Sequence, residues 1–118
     1  MPFSFTPASL QPYTPGSLFL GRDPHTWNEV GIPSTRHFLT IAGSGSGKGS
    51  SLIIPNLKRW LHNVICIDPG GGNVRHTWQD REAMGQKVYV FDPFNITAAV
   101  GVPDRLRTTF NPLQTLDP

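Results

Sequence analysis

The chain has 118 residues, a formal net charge of +2 and a pI near 9.0. A charge this small does not require nucleic acid as a partner, and the length suits one small domain. Glycine and proline number 12 each while only 15% of the residues are charged, which is a loop-rich composition for a domain that folds alone.

No apolar run approaches the ~18 residues of a membrane span, and the N-terminus lacks the charged start and long apolar stretch of a signal peptide. The single cysteine, Cys66, lies inside an apolar run. Because a lone cysteine builds no disulfide framework, we interpret Cys66 as a buried, reduced thiol of a cytosolic protein.

The N-terminal segment, residues 1–16, contains four prolines with aromatic residues between them. Proline at this spacing excludes a helix and favours extended chain. We therefore separate this segment from a domain spanning residues 17–118, and interpret it as either a docking segment for a partner or a poorly ordered terminus.

The domain begins with a predicted strand at Ser17–Gly21. Turn signals from Arg22 to Ser34 then indicate a small hairpin or an irregular lead-in, with Trp27 or Val30 packing onto the core.

Three later apolar runs predict strands, at His37–Ala42, Val64–Asp68 and Lys87–Phe91. The short length and β-branched residues of Val64–Asp68 favour a strand buried on both faces, as in a parallel sheet. The remainder, Asn95–Pro118, is predicted to be irregular.

A first helix is predicted between the first two of these strands. Apolar residues at helical spacing place its start near Lys48 or Gly49, and Pro55 predicts a kink or a break inside it. Lys58 and Arg59 are interpreted as part of its solvated face.

A second helix is predicted over Val74–Met84, with Asn73 as its N-cap and Gly85 as its stop signal. The order strand–helix–strand–helix–strand predicts an α/β fold, in which right-handed crossovers make the strands parallel and helices cover both faces. Ligands bind such sheets beyond the carboxyl ends of the strands, where the loop after the first strand, Asp68 and Asp92 are expected to meet.

The loop after the first predicted strand matches the G-x-x-x-x-G-K motif. Its residues are Gly43, Ser44, Gly45, Ser46, Gly47, Lys48, Gly49 and Ser50. Glycines at 43, 45 and 47 allow positive φ, so that the amides of residues 44–49 form a nest for phosphate, and the following helix adds the positive end of its dipole. Lys48 supplies a charge for the β- and γ-phosphates of a bound nucleotide. The alternative is a flexible Gly/Ser linker, against which the apolar runs on both sides argue.

The motif ordinarily places Ser or Thr directly after the lysine as a Mg²⁺ ligand. Here that position is Gly49 and the nearest hydroxyl is on Ser50, so Ser50 and Asp68 are the candidate Mg²⁺ ligands. The alternative is that Asp68 and Asp92, each followed by proline, are ordinary turn residues. Neither is followed by glutamate, so no general base is identified, and the four histidines show no metal-ligand spacing.

Short stretches outside the loop complete a pattern that covers nearly the whole chain after residue 17. They are Leu20–Arg22, Arg36–Ala42, Ile54–Leu57, Asp68–Pro69, Thr77, Arg81, Gly85, Val88–Pro93 and Asn111–Leu113. The pattern resembles the TraG/TraD-like coupling proteins of type IV secretion, which are conjugative DNA-transfer ATPases. The Pro-Asn-Leu sequence behind a Gly-Lys-Gly loop is its most specific part.

The resemblance implies a partial RecA-like P-loop NTPase sheet with flanking helices, and ATP and Mg²⁺ as cofactors. It implies DNA and secretion-channel proteins as partners, and a hexamer when the protein is full length. It also implies a position at the cytoplasmic face of the bacterial inner membrane for the full-length family, and a cytoplasmic location for this chain.

Two departures separate the chain from this family. The family signature Asp-Pro-Lys-Gly-Glu is Asp68-Pro69-Gly70-Gly71-Gly72 here, which removes a charged pair from the predicted nucleotide edge. The family's N-terminal membrane helices, inserted helical domain and later Asp-Glu strand are also missing, so the resemblance implies the first third of a motor domain or a truncated product.

Three functions remain open at this point. The chain is the nucleotide-binding part of a hexameric export ATPase, a non-catalytic remnant that binds nucleotide or a partner without hydrolysis, or a complete small P-loop kinase or GTPase. The third lacks any guanine-specificity motif.

Overall fold

The computed structural model describes residues 11–33, 37–111 and 114. Contacts group the chain into two units, Met1–Val64 and Ile65–Pro118. Both contain helix and strand, so the chain is mixed α/β, and parallel strand pairing within the described residues is confined to one pair of strands in the second unit.

The first unit contains a three-stranded antiparallel sheet in the order β1-β3-β2. Strand β2, Leu18–Arg22, pairs with β3, Glu29–Ile32, with a bulge between Phe19 and Gly21. The predicted strand and hairpin are therefore confirmed. Trp27 does not pack onto the core, because it lies in the connecting turn at φ +59° and is 71% exposed.

The described end of the proline-rich segment belongs to this sheet. Strand β1, Gln11–Pro12, pairs with β3, placing Gln11 opposite Gly31. A Cβ atom at Gly31 would lie 2.8 Å from the Leu18 carbonyl oxygen, so only glycine allows the strands to approach this closely. Residues 1–10 lie outside the described part, and the domain spanning residues 17–118 stays a prediction.

The helix after the loop changes its winding at Pro55. Residues Gly49–Ile53 form a π-helix, and α1, Ile54–Arg59, continues directly from it. Ile54 donates its N–H to the carbonyl of Gly49, five residues earlier. Pro55 has no N–H to donate to the preceding turn, and the change from π-helical to α-helical winding occurs beside it, so the predicted kink is observed as a change of helix type.

Helix α1 is held to the sheet by polar contacts. The carboxamide of Asn56 bonds to the backbone of Phe19, and the guanidinium of Arg59 forms an ion pair with Glu29 at 2.8 Å. The interpretation of Arg59 as a solvated residue is therefore wrong: its side chain is 35% exposed and covers the ring of Phe19.

The second unit packs a 12-residue helix, α2 (Gly72–Ala83), against short elements. These are β4 (Val90–Phe91), α3 (Ile96–Ala99), a 3₁₀ turn (Asp104–Leu106) and β5 (Arg107–Thr108). Strands β4 and β5 are parallel. The core consists of Val90, Val102 and Leu106, with Val74, Trp78, Val88 and Val100 packed around it.

Of the two predicted ends of α2, the C-terminal end is confirmed and the N-terminal end is wrong. Asn73 is not the N-cap, since the helix begins at Gly72 and the first-turn amide of Val74 donates to Asp68 Oδ2 at 2.9 Å. Gly85 is confirmed as the stop signal. It takes φ +81°, donates to the Glu82 carbonyl at 2.8 Å, and lets the next residue, Gln86, bond back into the helix.

Two of the three predicted parallel strands are wrong in this structure. Residues 37–42 and 64–68 pair with no strand among the described residues. Their apolar side chains face solvent: Leu39 and Ile41 are 85% and 86% exposed, and Ile65 and Ile67 are 98% and 89% exposed. A buried parallel strand needs neighbours on both edges and layers on both faces, and the described residues provide neither here.

The third predicted strand, Lys87–Phe91, survives only at its end, as β4. Cys66, which the sequence placed in a buried run, is exposed, and its Sγ lies 3.7 Å from the Nδ2 of Asn73. Within the described residues, no helix combines the length and apolarity that crossing a membrane requires.

The exposed run at residues 65–67 predicts self-association of the isolated chain, because a flat, apolar, β-branched segment is a template for pairing between molecules. The double variant Ile65→Glu/Ile67→Glu should remain monomeric at concentrations where the parent associates, as measured by sedimentation velocity. Its free energy of unfolding should change by no more than about 0.5 kcal/mol, since both side chains are already in solvent.

Val90→Glu is the control for a buried position: it places a charge in the core and should unfold the second unit. Equal association of the parent and the double variant would contradict this prediction.

Candidate functional site

The candidate site is the loop at residues 43–50, and two of its glycines take left-handed backbone conformations. Gly45 has φ +73° and Gly47 has φ +83°, whereas Gly43 does not take positive φ. Left-handed residues alternating with ordinary ones turn successive N–H groups toward one side of the chain. The sequence therefore predicted correctly that Gly45 and Gly47 use the freedom of glycine, and was wrong about Gly43.

The side chain of Lys48 folds back over the start of the loop. Its Nζ donates to the carbonyl oxygens of Ala42 and Gly43, both at 2.7 Å. These bonds close residues 42–48 into a ring and hold the ammonium group against the loop backbone. An ammonium group has three N–H donors, so these two carbonyls leave donor capacity for an anion.

Two hydroxyl groups converge on the Gly47 carbonyl at the start of the helix. Ser50 donates to it at 3.1 Å and Ser51 at 2.6 Å, and the backbone N–H of Ser51 also donates to it at 2.8 Å. Ser50 was predicted from the motif. Ser51 was missed, although its position four residues after Gly47 could have indicated it, because that spacing brings a serine hydroxyl to a helical carbonyl.

The helix that follows presents its N-terminus to the loop. From Gly49 to Arg59 the winding is continuous, and the first N–H groups of a helix have no intrahelical acceptor. The aligned peptide dipoles add partial positive charge at this end. Residues 43–50 thus combine left-handed glycines, a helix N-terminus and an ammonium group, and the segment contains no acidic side chain.

Asp68 lies in the second unit, and its carboxylate is used at the N-terminus of α2. Oδ2 accepts the N–H of Val74 at 2.9 Å, and the Asp68 carbonyl accepts the N–H of Gly71 at 3.1 Å. This is the turn role that the sequence left open as an alternative. A role for Asp68 in nucleotide or Mg²⁺ binding stays a prediction.

Asp92 makes the same kind of contact at α3. Its Oδ2 accepts from both the N–H and the hydroxyl of Thr97, at 2.7 and 2.6 Å, and Oδ1 accepts from the N–H of Ile96 at 3.0 Å. These bonds, led by the Thr97 hydroxyl, lower the pKa of Asp92 from 3.8 to about 2. Among residues 11–33, 37–111 and 114, no three His, Cys, Asp or Glu side chains form a metal-binding group.

The glycine triplet at residues 70–72, where α2 begins, has one position that needs glycine. Gly71 takes φ +68°, and a Cβ atom there would lie 3.2 Å from Val100 Cγ2. Gly70 and Gly72 have ordinary φ and open space around the position of a Cβ atom. The two glycines that depart from the resembled signature are therefore the two that the backbone does not require.

The chain is similar to known proteins over most of its length. A family model described as "Type IV secretory system Conjugative DNA transfer" matches residues 10–116. The chain is 26% identical over 89 residues to a "Probable conjugal transfer protein TraG" of Sinorhizobium fredii, covering 68% of this chain and 14% of that protein. It is 31% identical over 77 residues to "Protein VirD4" of Agrobacterium fabrum, covering 65% of this chain and 10% of that protein.

A "Conjugal transfer protein TraG" of Agrobacterium fabrum is 33% identical over 57 residues, covering 48% of this chain and 9% of that protein. The chain therefore spans about a tenth of the length of these curated relatives. No solved structure matches it.

The hydrogen bonds of Asp92 predict a loss of stability in acid. Because its pKa is about 2 in the folded chain and 3.8 ordinarily, its stabilising contribution is complete above about pH 4 and disappears as the pH falls through 2. Asp92→Ala should therefore be less stable than the parent at pH 5, and the difference should shrink between pH 4 and 2. Circular dichroism during urea unfolding at each pH measures this difference.

Asp104→Ala is the matched control, since that side chain is 87% exposed. A stability difference between Asp92→Ala and the parent that stays constant down to pH 2 would contradict the assignment.

The glycine triplet gives a graded prediction. Gly71→Ala should lower the free energy of unfolding by about 1–2 kcal/mol, because alanine is strained at positive φ and its methyl group meets Val100. Gly70→Ala and Gly72→Ala are the controls and should be neutral or stabilising by up to about 1 kcal/mol. Urea unfolding monitored by circular dichroism compares the three, and equal effects at 70, 71 and 72 would refute the distinction.

Proposed function

This chain belongs to the type IV secretory system conjugative DNA transfer family, and we propose that it is the part of such a protein that binds the polyphosphate of ATP. The observation that carries the proposal is the closed loop at residues 43–50. Its glycines at 45 and 47 are left-handed, its lysine is held against the loop, and a helix begins directly behind it.

The chemistry of the loop fits a polyphosphate. Backbone N–H groups of residues 44–49 and the ammonium group of Lys48 are donors, and the segment carries no carboxylate that would repel an anion. Phosphates bound there would receive the partial positive charge of the helix N-terminus in addition to the lysine charge. When bound, ATP supplies a phosphoanhydride bond whose cleavage can drive transport.

Mg²⁺ is proposed to bind at Ser50, and Asp68 is kept as a candidate Mg²⁺ ligand on the sequence motif alone. The Ser50 hydroxyl donates its proton to the Gly47 carbonyl, so the lone pairs of its oxygen face away from that bond and remain available to a cation. Hard oxygen ligands of this kind are the ones that Mg²⁺ prefers.

We propose that the loop belongs to a RecA-like P-loop NTPase sheet that further chain completes. The exposed apolar runs at residues 37–42 and 64–68 support this, because they have the composition of buried strands and no strand pairs with them in the described part. The relatives above are longer proteins, of which this chain spans 9–14%, and that length supports the proposal of a sheet larger than the strands described here.

Properties of the full-length protein are proposed from the family. They are a hexameric assembly, contacts with DNA and with secretion-channel proteins, and a position at the cytoplasmic face of the bacterial inner membrane. In that setting the chain would contribute the phosphate-binding end of a motor that drives DNA or protein export.

A second candidate is a remnant that binds nucleotide without hydrolysing it. The observation that favours it is the glycine triplet: Gly70 and Gly72 stand where the resembled signature has lysine and glutamate, and the backbone requires glycine at neither position. Removal of that charged pair leaves the loop intact but takes away groups that could act on the terminal phosphate.

Lys48→Ala tests the proposed binding. Loss of a charged donor to the phosphates should weaken the affinity for a non-hydrolysable ATP analogue with Mg²⁺ by about 10- to 100-fold, as measured by isothermal titration calorimetry. Lys58→Ala, an exposed lysine on α1, is the matched control and should bind as the parent does.

Equal affinity of the parent and Lys48→Ala would overturn the proposal. If the parent also hydrolyses ATP, and Lys48→Ala abolishes that turnover, the non-catalytic remnant is excluded.

A further inference from the structure

Strand β2 has one edge that no strand covers in the described part of the chain. The sheet order β1-β3-β2 places it at the rim, and residues on the outer edge of an antiparallel strand direct both their N–H and their C=O outward. At Phe19 both groups are satisfied by one side chain, that of Asn56 on α1. Phe19 N–H donates to Asn56 Oδ1 at 2.8 Å, and Asn56 Nδ2 donates to the Phe19 carbonyl at 2.8 Å.

The carboxamide of Asn56 therefore takes the place of one residue of an additional strand. Its second N–H donates to the carbonyl of Leu52 at 2.8 Å, inside its own helix, so both donors are used. The three partners fix the orientation of the amide, because exchanging its oxygen and nitrogen would set two donors against each other at Phe19. Because one side chain forms hydrogen bonds with the backbone of both a strand and a helix, it defines the distance and rotation between those two elements.

A second contact on the same face of the helix supports this one. Arg59 lies three residues after Asn56, and its guanidinium contacts both carboxylate oxygens of Glu29 on β3, at 2.8 and 3.1 Å. It also lies 4.2 Å from the ring centroid of Phe19. Two polar contacts, one to β2 and one to β3, thus hold α1 against the sheet.

These contacts reach the loop through the helix itself. The winding is continuous from Gly49 to Arg59, so Asn56 is linked to the start of the helix by seven residues of helical backbone. The direction of the first N–H groups, and the position of Lys48 before them, follow from where the helix lies. The sheet therefore determines the orientation of the loop through α1, although no strand of the sheet is adjacent to the loop in the sequence.

We propose that Asn56 is a positioning residue for the phosphate-binding loop: by bonding to the outer edge of β2, it orients the helix whose N-terminus faces the phosphates. This rests on the proposed function. It gives a role to the asparagine of Pro-Asn-Leu, the tripeptide that is the most specific part of the family resemblance and that the resemblance alone does not explain. Phosphate affinity then depends on a contact far from the phosphates, as expected when binding groups must be held in place before the ligand arrives.

The test uses the full 118-residue chain, a non-hydrolysable ATP analogue with Mg²⁺, and amide NMR spectra. In the parent, the analogue should shift the resonances of the loop and also those of Phe19 and Gly31 in the sheet. In Asn56→Ala, the dispersed resonances of residues 18–32 should persist, the affinity should fall about tenfold, and the shifts at Phe19 and Gly31 should disappear. Asn28→Ala, an exposed asparagine in the β2–β3 turn, is the matched control and should behave as the parent.

A second variant guards against loss of the fold. Asn56→Asp has the size of asparagine and keeps the acceptor for the Phe19 N–H, but it has no donor for the Phe19 carbonyl. It should also bind more weakly and lose the response of the sheet. A folded Asn56→Ala or Asn56→Asp that binds with parental affinity would overturn the inference.

The outcomes separate the two proposals. If the parent does not bind the analogue, or Lys48→Ala binds equally well, the proposed function fails. If Lys48→Ala loses affinity while the folded Asn56 variants keep it, the loop binds phosphate and only the positioning role is wrong.

Discussion

Every backbone N–H and C=O group that is removed from water must form a hydrogen bond with another group. In this chain side chains supply such hydrogen bonds more than long ladders of strand pairing do. Its strands are two to five residues long, so most backbone groups lie near the end or edge of an element. Asn56 bonds to the outer edge of β2, Asp68 and Asp92 accept amides in the first turns of α2 and α3, and Lys48 donates to the carbonyls that open the loop. The polar side chains that sequence motifs single out are thus the same ones that hold the short elements in place.

The apolar interior is correspondingly small. Among the described residues, the buried hydrophobic side chains are Phe19, Val90, Val102 and Leu106, while the apolar runs around Ile41 and Ile65 lie in solvent. Burial of apolar surface is the main force that stabilises folds, so each unit depends strongly on its polar contacts. The positive charge of Arg59 beside Glu29, packed over the Phe19 ring, shows how one long side chain serves as both apolar cover and ion-pair partner.

Local patterns predicted local features well. The hairpin, the change of winding at Pro55, the helix end at Gly85 and the left-handed conformations of Gly45 and Gly47 all depend on residues close in sequence. The predicted strands failed because strand pairing depends on distant chain. Residues 37–42 and 64–68 have the composition of buried strands but pair with no strand in the described part. Gln11–Pro12, predicted to be extended, pairs with β3, a partner that the local sequence did not indicate. The Asn56–Phe19 contact joins residues 37 apart and has no local signature, whereas the turn role of Asp92 at α3 is local and was one of the two alternatives that the sequence offered.

The wide turn of Gly49–Ile53 places one more residue in its ring of hydrogen bonds than an α-helical turn does. Each residue of an α-helix advances about 100° around the axis, whereas the wide turn spreads one more residue over nearly the same rotation. The extra residue is therefore taken up inside the turn and is not passed on as a rotation of Asn56 and Arg59. Removing one residue between Lys48 and Pro55 would return the turn to ordinary winding and leave Asn56 facing Phe19. The wide turn thus matches the number of residues in the segment to the contacts that α1 makes with the sheet.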